Sequence, residues 1–209
     1  MSDTLPTVFV IDDDASIRKA IARLLRAAGM EVIACASAQA YLDQFDPNLS
    51  GCLILDLAMP EISGLQLQDE LATRGNAPPI IFLTGRAEIP DSVQAMKHGA
   101  AEFLTKPVDE HLLVEAVRSA VDKDRIDRQT RAELADIRGR FATLTARELQ
   151  VLACVIAGKL NKQTALELGT VEKTIKVHRA RVMEKLQVKS LAALVQLAGR
   201  AGIVSRPET

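Results

Sequence analysis

The sequence has 209 residues, 48% of them hydrophobic, and a formal net charge of −1. This length suits one large or two small domains, and no apolar run is long enough to cross a bilayer, so we expect no membrane contact. The opening residues 1–4 lack the basic and apolar regions of a signal peptide. The cysteines lack metal-ligand spacing, so we expect reduced thiols and a cytoplasmic protein. They are Cys35, Cys52 and Cys154.

Charge is distributed unevenly along the chain. Residues 1–121 contain 9 Lys and Arg against 17 Asp and Glu, whereas residues 142–209 contain 11 against 5. Residues 122–141 are nearly balanced, with 6 against 5. An acidic front and a basic back predict two domains, of which the second faces a polyanion.

In the front part, short apolar strands alternate with amphipathic helices five times. The predicted strands are 7–11, 31–34, 53–56, 79–84 and 102–105, and the predicted helices are 17–28, 38–44, 65–74, 90–97 and 112–121. This alternation predicts a parallel sheet covered by helices on both faces. We therefore expect an α/β, doubly wound domain, and we assign it to the flavodoxin-like form, for which the strand order is 2-1-3-4-5.

Polar residues stand where four of these strands end. Asp12 and Asp13 follow the first strand, Asp56 ends the third, Thr84 ends the fourth and Lys106 follows the fifth. The carboxyl ends of parallel strands share one edge of the sheet, so these side chains should converge. The alternative, an acidic surface rim with an unrelated lysine, requires a separate coincidence at each strand end.

Such a cluster suits phosphoryl transfer. Crowded carboxylates repel one another, and a hard cation such as Mg²⁺ relieves the repulsion while leaving room for phosphate oxygens. Lys106 adds positive charge, Thr84 adds a hydroxyl donor, and Gly85 leaves space beside it. A carboxylate can also act as the nucleophile and form an aspartyl phosphate.

The ordered motifs of the front part resemble the receiver domain of bacterial two-component response regulators. The motifs are Asp12-Asp13, Asp56 within Leu-Asp-Leu-Ala-Met-Pro, Thr84-Gly85 and Lys106-Pro107. The resemblance implies that Asp56 accepts a phosphoryl group from a phosphohistidine of a sensor histidine kinase. It also implies that Mg²⁺ is held by Asp12, Asp13, Asp56 and the backbone carbonyl of Ala58.

Four further residues take roles from the same resemblance. Thr84 and Gly85 would receive the phosphoryl group, and Lys106 would pair with one of its oxygens. Phe103 occupies the aromatic switch position of the family and would rotate inward together with Thr84. The Lys106-Pro107 peptide would be cis.

One other reading of the acidic segment stays open. Asp12-Asp13-Asp14-Ala15-Ser16 is a near match to the motif of haloacid dehalogenase-like phosphatases. In that alternative Asp12 is the nucleophile and Asp14 the general acid, and Asp56 has no role.

Residues 122–141 predict a charged helical linker between domains 1–121 and 142–209. The segment is rich in charge and has no proline, so it can extend the preceding helix. We expect Gly139 to break that helix. The linker is either a helix that transmits orientation between the domains or pairs with a second copy of the chain, or a flexible spacer, and the sequence favours neither.

The back part predicts a four-helix, all-α domain. Thr145 with Glu148 forms a capping box for its first helix, Asn161 caps the second, and Ser190 caps the fourth. The third helix spans 172–186. A tight turn containing glycine precedes this basic third helix, a pattern typical of a helix-turn-helix.

The third helix has an apolar and a basic side. Cationic side chains attract DNA phosphates, and neighbouring residues on the same face reach base edges. The alternative is a solvated basic face on a small bundle. The basic side presents Lys173, Lys176, Val177, Ala180 and Arg181.

Four motifs of residues 142–200 are Leu144-Thr145-Ala146-Arg147-Glu148, Asn161-Lys162-Gln163, residues 172–179 and Met183-Glu184-Lys185-Leu186. Together they resemble the LuxR-type DNA-binding domain of the FixJ/NarL family, and the order of the two domains resembles the FixJ-like branch. The resemblance implies base contacts by Lys176 and Val177. It also implies a dimer surface on the fourth helix. The phosphate contacts that it implies are Lys173, Thr174, Arg179 and Arg181.

Together these features predict a transcription regulator, not an enzyme, that phosphorylation of Asp56 switches. Phosphorylation would promote a homodimer or release the DNA-binding domain. The expected partners are the cognate kinase and promoter DNA, with RNA polymerase as a further candidate. The alternative is a constitutive DNA-binding regulator whose receiver mediates only protein contacts.

Overall fold

The computed structural model of the protein describes residues 5–85 and 89–203. The chain forms two compact units, one ending at Arg128 and the other beginning at Gln129. This division lies inside the predicted linker 122–141, so each half of that segment packs with its neighbouring unit. Among the residues described, no helix is both long and apolar enough to span a membrane.

The first unit alternates strands and helices in the order that the sequence predicts. The strands are β1 (Thr7–Ile11), β2 (Glu31–Cys35), β3 (Gly51–Asp56), β4 (Ile80–Thr84) and β5 (Glu102–Thr105). The helices between them are α1 (Ala15–Ala27), α2 (Ala38–Leu42), α3 (Gly64–Arg74) and α4 (Ile89–Lys97), and α5 (Glu110–Ala142) follows β5.

All five strands are parallel, and their order is β2-β1-β3-β4-β5. The predicted fold class and strand order are therefore confirmed. Alternate residues of each strand point to opposite faces, which explains the continuous apolar runs of the central strands. One face packs on α2, α3 and α4, and the other packs on α1 and α5.

Helix α5 continues through Gly139, so the expected break at this residue is wrong. A glycine inside a helix costs only about 1 kcal/mol relative to alanine. Ile137 and Phe141 flank Gly139 and are buried in the core of the second unit, at 4% and 6% exposure. Their burial outweighs the helix preference lost at one position.

Within its described residues, the second unit contains four further helices. They are α6 (Ala146–Ile156), α7 (Asn161–Glu167), α8 (Glu172–Lys185) and α9 (Leu191–Arg200). The capping box of Thr145 and Glu148 and the cap at Ser190 form as predicted. Asn161 is not a cap, because α7 begins at Asn161 and its cap position is Leu160.

Candidate functional site

The register of the sheet brings the predicted acidic residues to one edge. Ile11 of β1 pairs with Leu55 of β3, so Asp12 and Asp56 follow as the next residues of neighbouring strands. Asp56 in turn pairs with Leu83 of β4. The switch from β1 to β3 is the point at which an open α/β sheet forms its ligand crevice.

Three carboxylates form a compact cluster at this edge. Asp12, Asp13 and Asp56 each contribute an oxygen, and these oxygens lie within 4.8 Å of one another. Oδ1 of Asp56 is buried and accepts no hydrogen bond within the part of the chain that the structure describes. A buried carboxylate oxygen without a donor is unfavourable, so this atom is suited to meet a cation or a phosphoryl group. Clustered carboxylates with one unsatisfied oxygen fit the preferences of Mg²⁺.

Lys106 reaches the cluster from the residue after β5. Its Nζ lies 2.7 Å from Oδ2 of Asp12 and 3.2 Å from Oδ2 of Asp56. Burial alone would lower the pKa of Lys106, but the two carboxylates outweigh burial and raise it above its usual value. The ammonium group therefore stays charged and offsets part of the negative charge of the cluster.

The other predicted residues of this unit lie around the same edge. Thr84 is buried at the end of β4, and its carbonyl oxygen accepts a 2.7 Å hydrogen bond from the backbone N–H of Lys106. Gly85 follows it and is exposed, as is Ala58 in the loop after β3. Phe103 lies on β5, where its ring centroid is 6.2 Å from that of Phe82. The Lys106-Pro107 peptide is cis.

Gly64, at the start of α3, lies in very close contact with the end of β3, and this contact cannot be read from the sequence. A Cβ at this position would lie 2.5 Å from the carbonyl oxygen of Asp56 and 3.1 Å from Cα of Leu57. The Gly64 N–H also donates to the carbonyl of Leu57 at 3.0 Å. The sequence signal was only a glycine opening an apolar-periodic helix, whereas the contact depends on how α3 packs on β3.

Asp14 has a structural role at the start of α1. Its Oδ1 accepts hydrogen bonds from the backbone N–H groups of Ser16 and Ile17 and from the Ser16 hydroxyl. The hydroxyl and backbone donors of Ser16 and the N–H of Ile17 hold the pKa of Asp14 below its usual value. A carboxylate held ionised as a helix cap is poorly placed to be a general acid, which disfavours the phosphatase alternative.

In the second unit, α8 separates an apolar from a polar side as predicted. Ile175, Val182 and Leu186 are buried in the core. Val177 is 45% exposed, and the side chain of Lys176 is 64% exposed. The remaining predicted DNA contacts are exposed at Lys173 and Arg181 and half-buried at Thr174 and Arg179.

Two of these basic side chains already have partners within the unit. Nζ of Lys176 lies 3.2 Å from Oε1 of Glu172, one helical turn earlier. Nη1 of Arg179 donates to Oδ1 of Asn161 at 3.2 Å, which ties α8 to the start of α7. Lys176 is therefore paired within α8, whereas Arg179 connects α8 to α7.

Both units are similar to known protein families. Residues 8–118 match the response regulator receiver domain, and residues 142–198 match the bacterial regulatory proteins of the luxR family. Nodulation protein W of Bradyrhizobium diazoefficiens is 42% identical over 202 residues, which is 97% of this chain and 89% of that protein. Transcriptional regulatory protein FixJ of Azorhizobium caulinodans is 41% identical, over 97% of this chain and 96% of that protein.

A solved structure is similar over nearly the whole chain. The response regulator StyR superposes with a TM-score of 0.87 at 45% identity, covering 94% of this chain and 100% of that one. The similarity therefore extends across both units.

Proposed function

This chain belongs to the FixJ-like two-component response regulators, which join a receiver domain to a LuxR-type DNA-binding domain, and on that premise we propose that Asp56 is its phosphorylation site. The observation that carries the proposal is the buried Oδ1 of Asp56, which has no donor among the described residues and belongs to a carboxylate that clusters with Asp12 and Asp13. Asp12 shares the burial, the neighbouring carboxylates and the contact with Lys106, but both of its oxygens accept hydrogen bonds, Oδ1 from the Asp14 N–H and Oδ2 from Lys106.

The chemistry is transfer from a phosphohistidine of a sensor kinase. A carboxylate oxygen of Asp56 attacks phosphorus, the P–N bond breaks as the O–P bond forms, and the released imidazole nitrogen takes up a proton. Asp12, Asp13, Asp56 and the carbonyl of Ala58 would hold Mg²⁺, which when bound supplies charge neutralisation at the phosphoryl oxygens.

Neighbouring side chains would then sense the new phosphoryl group. Lys106 would exchange its carboxylate partners for a phosphoryl oxygen, since the added charge and acceptors outcompete them. Thr84 would donate its hydroxyl, with Gly85 leaving room for the loop to approach. Phe103 is half-buried against Phe82, and this packing would change as Thr84 moves.

The output is proposed to be regulated DNA binding. Lys176 and Val177 would reach base edges, and Lys173, Thr174, Arg179 and Arg181 would contact phosphates. Phosphorylation would shift the population towards a homodimer or towards a free DNA-binding unit. RNA polymerase is a further proposed partner. A cytoplasmic location is also proposed, supported by three buried free cysteines.

Intact mass spectrometry tests the acceptor assignment. The full chain is incubated with Mg²⁺ and acetyl phosphate, alongside Asp56→Asn and the control Asp43→Asn at an exposed position. We expect one phosphoryl group on the wild type and the control, and none on Asp56→Asn. An adduct that persists in Asp56→Asn, or no adduct on the wild type under conditions that preserve acyl phosphates, would overturn the proposal.

A further inference from the structure

Asp13 is the member of the acidic cluster whose orientation most needs explaining. Its side chain is exposed and accepts no hydrogen bond from the part of the chain that the structure describes. Asp12 differs, because its carboxylate accepts from Lys106 and from the Asp14 backbone N–H. In the absence of such a bond, the position from which the Asp13 carboxylate reaches the cluster depends on its backbone.

Both peptide groups that flank Asp13 are held by hydrogen bonds. The carbonyl oxygen of Asp12, which belongs to the peptide before Asp13, accepts from Nη1 of Arg18. The N–H of Asp14, which belongs to the peptide after Asp13, donates to Oδ1 of Asp12 at 2.9 Å. Since each peptide group is planar, fixing both planes fixes the two backbone dihedrals of Asp13 and the direction of its Cβ.

Arg18 is well placed to provide the first of these bonds. It lies in the second turn of α1, where its N–H donates to the carbonyl of Asp14 at 3.0 Å, and its side chain is half-buried. Burial raises the pKa of the Cys35 thiol to about 11, and the nearby positive charge of Arg18 opposes that rise. Cys35 pairs with Ile11, and Nη1 of Arg18 reaches the carbonyl of Asp12, the residue that follows Ile11 at the end of β1.

We propose that Arg18 is a positioning residue that preorganises Asp13 for a divalent cation by holding the Asp12–Asp13 peptide. This inference rests on the proposed function, which makes Asp13 a Mg²⁺ ligand. The sequence offers only a basic residue in an amphipathic helix, and the contact follows from the turn between β1 and α1.

Loss of the Arg18 side-chain charge has opposite expected effects on Mg²⁺ affinity in the two cases, electrostatics alone and a positioning role. Arg18 carries a positive charge near a cation site, so removing that charge would strengthen Mg²⁺ binding if charge alone mattered. If Arg18 positions Asp13, removing its donors weakens binding instead. Lys19 is the matched control, because it is the next residue of α1, carries the same charge and is exposed.

Isothermal titration calorimetry of Mg²⁺ binding to the full chain tests the proposal. The unfolding temperature of each variant is first measured without Mg²⁺, and the titration is done below it. Arg18→Met retains the apolar stem and is expected to weaken binding about tenfold, in the range found when groups supporting metal ligands are removed. Arg18→Lys restores a single donor and should recover part of the affinity. Lys19→Met should bind as tightly as the wild type or slightly more tightly.

Two results would overturn the proposal in distinguishable ways. Equal or tighter binding by Arg18→Met, with normal binding by the wild type, would remove the positioning role and leave the Mg²⁺ site in place. Failure of the wild type itself to bind Mg²⁺ would instead remove the metal site, and the role of Arg18 with it.

Discussion

Among single residues, Gly64 is important for the position of Asp56, because it has no side chain. Gly64 approaches the acceptor strand so closely that an added methyl group would overlap the carbonyl oxygen of Asp56. Asp56 and Gly64 are buried, and the obstructing atoms of Asp56 and Leu57 belong to the backbone. The clash cannot be relieved by turning a flexible side chain, so the acceptor loop must move.

We expect Gly64→Ala to slow phosphorylation by acetyl phosphate on the order of 10- to 100-fold, because it displaces the nucleophile from its working geometry. The measurement is the initial rate of adduct formation by intact mass. Gly139→Ala is the control, since a Cβ there meets no atom within 4 Å, and it should phosphorylate at the wild-type rate. A wild-type rate for Gly64→Ala would show that the loop tolerates the methyl group.

In the second unit, Glu148 joins two helix ends. Its carboxylate accepts from Nζ of Lys185 at 2.6 Å and from the Thr145 backbone N–H at 2.9 Å. The hydrogen bond from Lys185 and that from Thr145 lower the pKa of Glu148 to about 2, although burial acts in the opposite direction. The charged form is therefore favoured in the folded protein.

Glu148→Gln is expected to lower the free energy of unfolding of this unit by about 2 kcal/mol at neutral pH, because a charged hydrogen bond is lost. The pKa is lower in the folded than in the unfolded state, so the stabilisation is fully present above pH 4.5 and is lost as pH falls towards 2. Calorimetry should show the difference from wild type shrinking over that interval. A pH-independent difference, or an equal loss in Glu184→Gln at an exposed site, would contradict this.

At the scale of elements, the first unit extends along α5 beyond the predicted boundary at residue 121. Asp124 is 1% exposed, and its Oδ2 accepts from the Gly51 N–H at 2.9 Å and from Nε of Arg128 at 2.7 Å. Arg128 also donates to the carbonyl oxygens of Pro47 and Leu49. This cluster attaches α5 to the loop that leads into β3.

Replacing Arg128 should therefore destabilise the first unit and not merely alter a linker. Arg128→Met leaves the buried Asp124 carboxylate without its cation, and we expect a loss of about 3 kcal/mol in the free energy of unfolding. Urea unfolding followed by circular dichroism measures it. Arg125→Met is the matched control, because the side chain of Arg125 is 74% exposed and should matter little. Equal stability of the two variants would contradict the role of Arg128.

Across the whole molecule, the sequence predicts the features that follow from the regular strand and helix pattern. It does not predict contacts between elements that are distant in the sequence. Alternating strands and helices predicted the parallel sheet with helices on both faces, and the strand-end residues predicted the acidic cluster, because parallel strands must end at one edge. The contacts of Arg18, Gly64 and Asp124 could not be predicted, because each depends on how separate elements pack. Gly139 was misjudged since helix preference is weaker than the burial of its neighbours.

If phosphorylation of Asp56 controls DNA binding, the affinity of the full chain for DNA must change when Asp56 is phosphorylated. A DNA fragment selected for binding from a random-sequence pool is titrated with the full chain in the presence of Mg²⁺. The titration is done once with acetyl phosphate and once with acetate, at a fixed salt concentration because the affinity for DNA depends on salt. We predict at least about tenfold tighter binding with acetyl phosphate for the wild type, a coupling of about 1.4 kcal/mol, and no response in Asp56→Asn. Equal affinity in both conditions, or the same response in Asp56→Asn, would contradict the account and favour a constitutive DNA binder.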